Sequence, residues 1–309
     1  MSTPSTYAEL VGGRAYAVLN GWSVLSVQGA DAGKFLQSFC TNDVLKLSVG
    51  ESCEAFFTNA KAHIVAYGEV HRGRERWLIL LSSPTAHELA GALDRYIIRE
   101  DVQLAAPGEE MTLVLVPRKA TNSLDDALGE QLPLVSWGAE WRVIVSQTRG
   151  VSILQSQLQA AGLTRASWEA VNSLRIELGS PLDKIDVDDS NLPQEVTRSG
   201  RAISFTKGCY LGQEPVARID ALGHVNRTLV GVKFSGDEIP SRGAELSREG
   251  KVVGQVTSAC WSPRLQSPLA LAYVRRGSNG VGSVLESSLG VAEVVELPIE
   301  TTEKRDVIA

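Results

Sequence analysis

From residue 228 to 297 the chain runs through TLVGVKF, KVVGQVTS, ALAYVRR, SVLES and VAEVVEL, short β-rich stretches parted by Gly, Ser and Pro. Strands this short, at even spacing and with turn residues between them, predict a small barrel or sandwich. The change of texture after Asn226 predicts a boundary near 225–228, with residues 1–226 as one module and 227–309 as a second.

Before that boundary strands and helices alternate, but not in the strict rhythm of a doubly wound sheet, so the fold class expected is α+β. Trp22 to Val27 (WSVLSV) alternates apolar and polar residues, and the 31–39 stretch puts Phe35, Leu36 and Phe39 on one helical face. AFFT at 55–58, HIVAYGEV at 63–70, RWLILL at 76–81, TLVLV at 112–116 and WRVIVS at 141–146 read as strands. Thr85-Ala-His-Glu88 has the pattern of a capping box opening a helix that buries Leu89, Leu93 and Ile97. A second helix spans 168–178, capped by Ser167 and stopped by Gly179 and Pro181, with Trp168, Val171, Leu174 and Leu178 on its packed stripe and Arg175 at the edge of that stripe. Residues 180–204 lose periodicity; the acids Asp183, Asp186, Asp188 and Asp189 lack EF-hand spacing and read as a solvated acidic loop.

The net charge of -6 argues against a basic nucleic-acid face, since phosphate binding requires clustered Lys and Arg. Hydrophobic content of 43% and charged content of 21% mark an ordinary globular chain. The first residues have neither a basic region nor an apolar region of the signal-peptide kind, and WLILL at 77–81 is far too short to span a bilayer. Four cysteines, at 40, 53, 209 and 260, form no Cys-x-x-Cys pair. The expectation is a cytoplasmic protein with reduced thiols, no metal, and neither nucleic acid nor membrane as a partner.

One cysteine has unusual flanks. In KGCYLGQE (207–214), Cys209 stands two residues after Lys207, in a turn expected to follow a strand at 202–205 (AISF) and to precede a helix capped by Gly212. Gln213, Glu214 and Pro215 suit the first turn of that helix. A nearby ammonium and helix-start N–H groups would stabilise a thiolate at Cys209. A Cys209–His224 dyad is a weaker reading of the same residues, and Cys40, Cys53 and Cys260 follow core patterns.

The motif Lys207, Gly208, Cys209, Tyr210, Leu211, Gly212, Gln213 and Glu214, with Arg218 after it, closely resembles the signature of the YgfZ family. These are folate-binding proteins related to the T-protein (aminomethyltransferase) of the glycine cleavage system. The stretches 27–37 and 41–44, the segment NSLRI (172–176) with Glu177 and Gly179, and Val256–Ser258 with LALAYV (269–274) resemble further parts of that family. The resemblance implies two interleaved α+β subdomains around a central folate cavity, followed by a small β-barrel. It implies tetrahydrofolate as the cofactor, with Glu195 binding the pterin and with Gln194 and Arg175 beside it. It also implies iron–sulfur client or assembly proteins as partners, with Cys209 at the rim of the folate site.

The chain departs from the T-protein pattern at one chemically decisive place. Where aminomethyltransferases carry an aspartate pair, this chain reads Ile64-Val65-Ala66-Tyr67, so their acid–base chemistry is not expected here. A smaller departure is Ala62, where a glycine is often found. The function expected is therefore a tetrahydrofolate-binding accessory protein for iron–sulfur cluster assembly or repair. The alternatives are a folate-dependent one-carbon transferase of altered specificity and a non-catalytic docking module.

Overall fold

The computed structural model describes residues 6–123 and 129–299; the outer ends of the two expected modules, 1–5 and 300–309, lie outside the described residues. Helix α1 (Tyr7–Val11) precedes β1 (Ala15–Val18), β2 (Ser23–Gln28), α2 (Ala32–Phe39), β3 (Ser52–Thr58), β4 (Ile64–Arg72) and β5 (Trp77–Leu81). Next come α3 (Ala86–Asp94), β6 (Gln103–Ala105), β7 (Met111–Pro117), β8 (Glu130–Pro133) and β9 (Trp141–Gln147). Helix α4 (Val151–Ala160), β10 (Thr164–Arg165), α5 (Trp168–Glu177), α6 (Ser199–Ala202) and α7 (Gln213–Leu222) complete the larger part. The last strands are β11 (Arg227–Phe234), β12 (Glu245–Arg248), β13 (Lys251–Ser262), β14 (Ser267–Arg275), β15 (Val284–Ser287) and β16 (Gly290–Val295).

The strands form two five-stranded sheets, in the orders β10-β1-β7-β9-β8 and β3-β4-β5-β2-β6, and a closed barrel β11-β14-β13-β12-β15-β16. The two sheets are interleaved in sequence, since β1 belongs to the first, β2 to β6 make the second, and the chain then returns to the first. Closing the barrel removes the sheet edge that an open array of short strands would expose. The α+β class, the interleaving and the C-terminal barrel are as expected from the sequence.

The second sheet, helix α5 and the barrel meet on one apolar cluster. Phe56 and Tyr67 from the second sheet pack there with Ile176 of α5, Val196, and Leu229 and Leu271 of the barrel. Full burial of side chains of this size contributes about 1.5–3 kcal/mol each.

Four local expectations are corrected. Ala202 ends α6 and Phe205 is 48% exposed, so residues 202–205 are not a strand. The Ile203 amide bonds Ser199 O and the Ser204 amide bonds Thr41 O, which leaves no ladder for the alternating pattern to join. Thr85 is the N-cap of α3 but makes no side-chain cap; its hydroxyl donates instead to Asp183 at 3.2 Å, and α3 ends at Asp94, short of Ile97. On α5 the Ser167 hydroxyl does accept from the Ala170 amide, yet Trp168 is 44% exposed rather than on the packed stripe. Finally, Asp183 and Asp186 are buried. These two acids pin the aperiodic stretch into the core, while Asp188 is half-buried and Asp189 is exposed as expected.

Candidate functional site

The KGCYLGQE segment is mounted on the end of α2. A helix leaves its last carbonyls without internal partners, and Lys207 supplies donors to them. Its buried ammonium donates to Gln37 O at 2.6 Å, Cys40 O at 2.7 Å and Asn42 O at 2.8 Å. The Leu211 amide takes Ser38 O at 2.9 Å, and Leu211 O accepts from the Thr58 hydroxyl at 2.7 Å. Gly212 caps α7 with φ 84, and a Cβ there would lie 2.5 Å from Asn59 O, so only glycine fits between α7 and β3. The Lys207 ammonium also lies 4.9 Å over the Tyr210 ring.

Between these anchors Cys209 is exposed, while Cys40 and Cys260 are buried. An ammonium has three protons, and all three of Lys207 are taken by carbonyls. Lys207 therefore holds the loop and has no donor left over for the Cys209 thiol. Burial pulls its pKa down, against the opposite pull of Cys40, Asp43 and Cys53. The expected strand-to-helix turn becomes a loop-to-helix turn, with Gly212, Gln213 and Glu214 at the helix start as read from the sequence. Gly208, Glu214 and Arg218 are exposed and Gln213 is half-buried. His224 stands just past the other end of α7, its Nδ1 on Leu222 O. That helix of ten residues is about 15 Å long, which separates the two members of the weaker dyad reading.

Glu195 and Gln194 are neighbours that face different ways. The buried Glu195 carboxylate accepts from the Leu192 amide at 3.3 Å and pairs with Arg227 Nε at 3.2 Å. The Arg227 guanidinium lies 4.9 Å over the Tyr273 ring, and the buried Tyr273 hydroxyl has no hydrogen-bond partner. Burial first, and then the Glu195 charge, push the Tyr273 pKa up. Gln194 instead donates Nε2 to Val216 O at 2.7 Å and leaves Oε1 buried and unpartnered. It lines a separate cleft with His224 and Arg276.

Arg175 does not stand beside them. It is 1% exposed and pairs with Asp186 at 2.9 Å, with further bonds to Asn172 Oδ1 and Ser180 O. Asp186 also accepts from the Leu182 amide and from the Thr257 and Ser258 hydroxyls of β13. The pair fastens α5, the 180–204 segment and the barrel together. Breaking a buried ion pair of this kind costs about 3–5 kcal/mol. The ligand contact expected of Arg175 is thus replaced by a structural one.

At the place of the missing aspartates, Ala66 and Tyr67 are buried. The Tyr67 hydroxyl donates to Glu54 at 2.7 Å, and Arg198 binds the same carboxylate through two nitrogens, at 2.8 and 2.6 Å. Glu69 stands opposite Glu54 across the β3–β4 ladder and accepts from the Val135 and Ser136 amides and the Ser136 hydroxyl. Burial pushes its pKa up to about 7 against those bonds, and the Glu54 charge adds to the rise. Sequence reading missed Glu54, Glu69, Arg198 and Arg227. The alternation of β3 and β4, which puts both glutamates on one face, was the available signal. Ala62, the smaller departure, holds φ 64, a backbone geometry that glycine adopts without strain.

Three comparisons bear on this arrangement. The glycine cleavage T-protein C-terminal barrel domain matches residues 227–300. The chain is 26% identical over 291 residues to an aminomethyltransferase of Nostoc sp., covering 84% of this chain and 77% of that protein. It is 27% identical over 310 residues to one of Symbiobacterium thermophilum, covering 88% and 82%. One from Streptomyces avermitilis is 35% identical over 152 residues, 47% of this chain and 41% of that protein. Among solved structures, glycine cleavage system aminomethyltransferase T from Bartonella henselae superposes with a TM-score of 0.83 at 20% identity, covering 96% of this chain and 90% of that one. The chain has the fold of that T-protein, closed by the same kind of C-terminal barrel.

Proposed function

We propose that this chain binds a reduced folate, tetrahydrofolate, and acts as an accessory protein in iron–sulfur cluster assembly or repair, in the manner of the YgfZ family. The observation that carries the reading is the mounting of KGCYLGQE, which presents Cys209 to solvent from a fixed loop. Glu195 supports the folate part. A carboxylate has about four acceptor sites, and two long bonds leave room for the N–H edge of a pterin. The unpartnered Tyr273 hydroxyl offers a further donor or acceptor beside it. These residues fit the ligand: Glu195 would hold it, and Arg227 on Tyr273 would orient Glu195. Bound tetrahydrofolate supplies one-carbon carriage at its nitrogens. The chain's own part is to bind it, to exclude water around the Phe56–Tyr67 cluster and to keep Cys209 in place. Among the described residues the carboxylates at Tyr67 are engaged, Glu54 by Tyr67 and Arg198 and Asp183 by the Tyr67 amide and the Ser83 hydroxyl, which does not favour the aminomethyltransferase reaction.

Calorimetric titration with tetrahydrofolate tests the site. Saturable binding is expected, weakened roughly tenfold or more by Glu195→Ala, because a charge-assisted bond is lost. No saturable binding, or binding that survives the substitution, removes the assignment. A Cys209→Ser strain should show reduced activity of iron–sulfur enzymes, and normal activity there would end the accessory reading. Turnover of an aminomethyl or methyl donor would favour a transferase of altered specificity, the direction in which the named relatives point.

A further inference from the structure

The cleft at the C-terminal end of α7 plays no part in that reading. It measures about 440 Å³ and lies between α7 and the barrel, lined among others by Gln194, Asp220, His224, Arg276, Ile219 and Val225. That volume is in the range of small-molecule sites, ~300–1,000 Å³. Its polar groups are of two kinds. Gln194 is oriented by its Nε2 bond to Val216 O, so the buried, unpartnered Oε1 is an acceptor. His224 Nδ1 faces Leu222 O at 2.9 Å; a carbonyl only accepts, so Nδ1 carries the proton and Nε2 of the neutral ring is an acceptor. Asp220 adds a carboxylate, and the negative end of α7 lies alongside. Arg276 is the cation of the cleft. Among the described residues neither the Asp220 nor the Arg276 side chain has a hydrogen-bond or ion-pair partner. Ile219 and Val225 give the cleft an apolar wall.

A bare cation would leave the exposed Arg276 charge to water and be repelled by it, and a bare anion would leave the buried Gln194 Oε1 without a donor. We propose that this cleft binds the zwitterion of an α-amino acid with a small aliphatic side chain. Its ammonium lies on Gln194 Oε1, Asp220 and His224, its carboxylate on Arg276, and its side chain on Ile219 and Val225. Thr228 and Asn279 also line the cleft and bond each other at 2.8 Å. A zwitterion is the simplest ligand that answers both the charges and the buried acceptor, since a buried acceptor left without a donor is costly.

L-valine, isovalerate and isobutylamine, titrated separately into the full chain by calorimetry or by NMR, test the proposal. Isovalerate keeps the carboxylate and isobutylamine keeps the ammonium, so L-valine should bind saturably and each half should bind at least roughly tenfold more weakly. Arg276→Ala should bring L-valine down to the level of isobutylamine, and Gln194→Met should weaken it roughly tenfold. Arg276 is exposed, and its removal should leave tetrahydrofolate binding unchanged, which separates this site from the folate reading. Absence of saturable L-valine binding overturns the proposal. So does equal binding of either half, or an Arg276→Ala variant that binds L-valine as the wild type does.

Discussion

Lys207 and Cys209 are two residues apart and have opposite fates. One ammonium is enclosed by three carbonyls at and just past the α2 end, and one thiol faces water. The pairing of lysine with α2 was not legible in the motif, because its nearest acceptor, Gln37 O, lies 170 positions away in sequence. The exposure of the thiol follows from that anchoring. Thiol alkylation reports it directly. Burial pushes the Cys40 pKa up to about 11 and the Cys260 pKa up to about 12, so both are protonated and covered at neutral pH. Iodoacetamide at pH 7.5 should label Cys209 first, with Cys40 and Cys260 slower by about two orders of magnitude. Mass spectrometry of the labelled peptides reads the order. A fast-reacting Cys40 or Cys260 would contradict the burial described.

Elements with strong periodicity were readable, and those defined by tertiary bonds were not. Strands β2 to β5, β7 and β9, helices α2 and α5, and most barrel strands stand where alternation or helical spacing put them. The 202–205 stretch alternates just as well, yet it folds as the end of α6 and a loop, because no strand lies beside it to complete a ladder. Asp183 and Asp186 read as solvated acids, since nothing local announces Ser83, Thr85 and Tyr67 N for the first or Arg175 and the β13 hydroxyls for the second. Gly212 was read as a cap from sequence, and the structure adds why glycine is required. With φ 84 and Asn59 O 2.5 Å from where a Cβ would lie, Gly212→Ala should destabilise the protein by about 2–4 kcal/mol, visible as a lowered midpoint in chemical denaturation. An unchanged midpoint would mean that α7 does not dock on β3 as described.

At the scale of the molecule, one titratable latch joins the two sheets. Glu69 belongs to β4 of the second sheet, and its acceptors meet the Val135–Trp137 turn between β8 and β9 of the first. Facing it are Glu54 on β3 and, through that carboxylate, Arg198, Arg201 and Tyr67; His71 on the same strand is directed to Ser52 and Glu130. Its folded-state pKa of about 7 lies above the ordinary glutamate value of 4.5. The folded state therefore holds the proton more tightly. The stability this gives is fully present below the ordinary value and is lost as pH rises through about 7. Relative to Glu69→Gln, which cannot ionise, the wild type should lose about 1–3 kcal/mol across that window and change no further above it. Urea denaturation of both forms at several pH values measures the difference; a constant difference would show that Glu69 does not titrate between the sheets.

The interleaving of the sheets also sets an order of events during synthesis. The second sheet is drawn from one continuous stretch, residues 23–105, and can close as soon as that stretch has left the ribosome. The first sheet has to hold β1 without a partner until β7 and β10 emerge behind a finished neighbour. A strand waiting with unpaired backbone groups is the kind of segment that chaperones shield or that mispairs with another chain. Residues 15–18 are thus a liability of the nascent protein, although in the finished molecule they lie at the interior of a sheet.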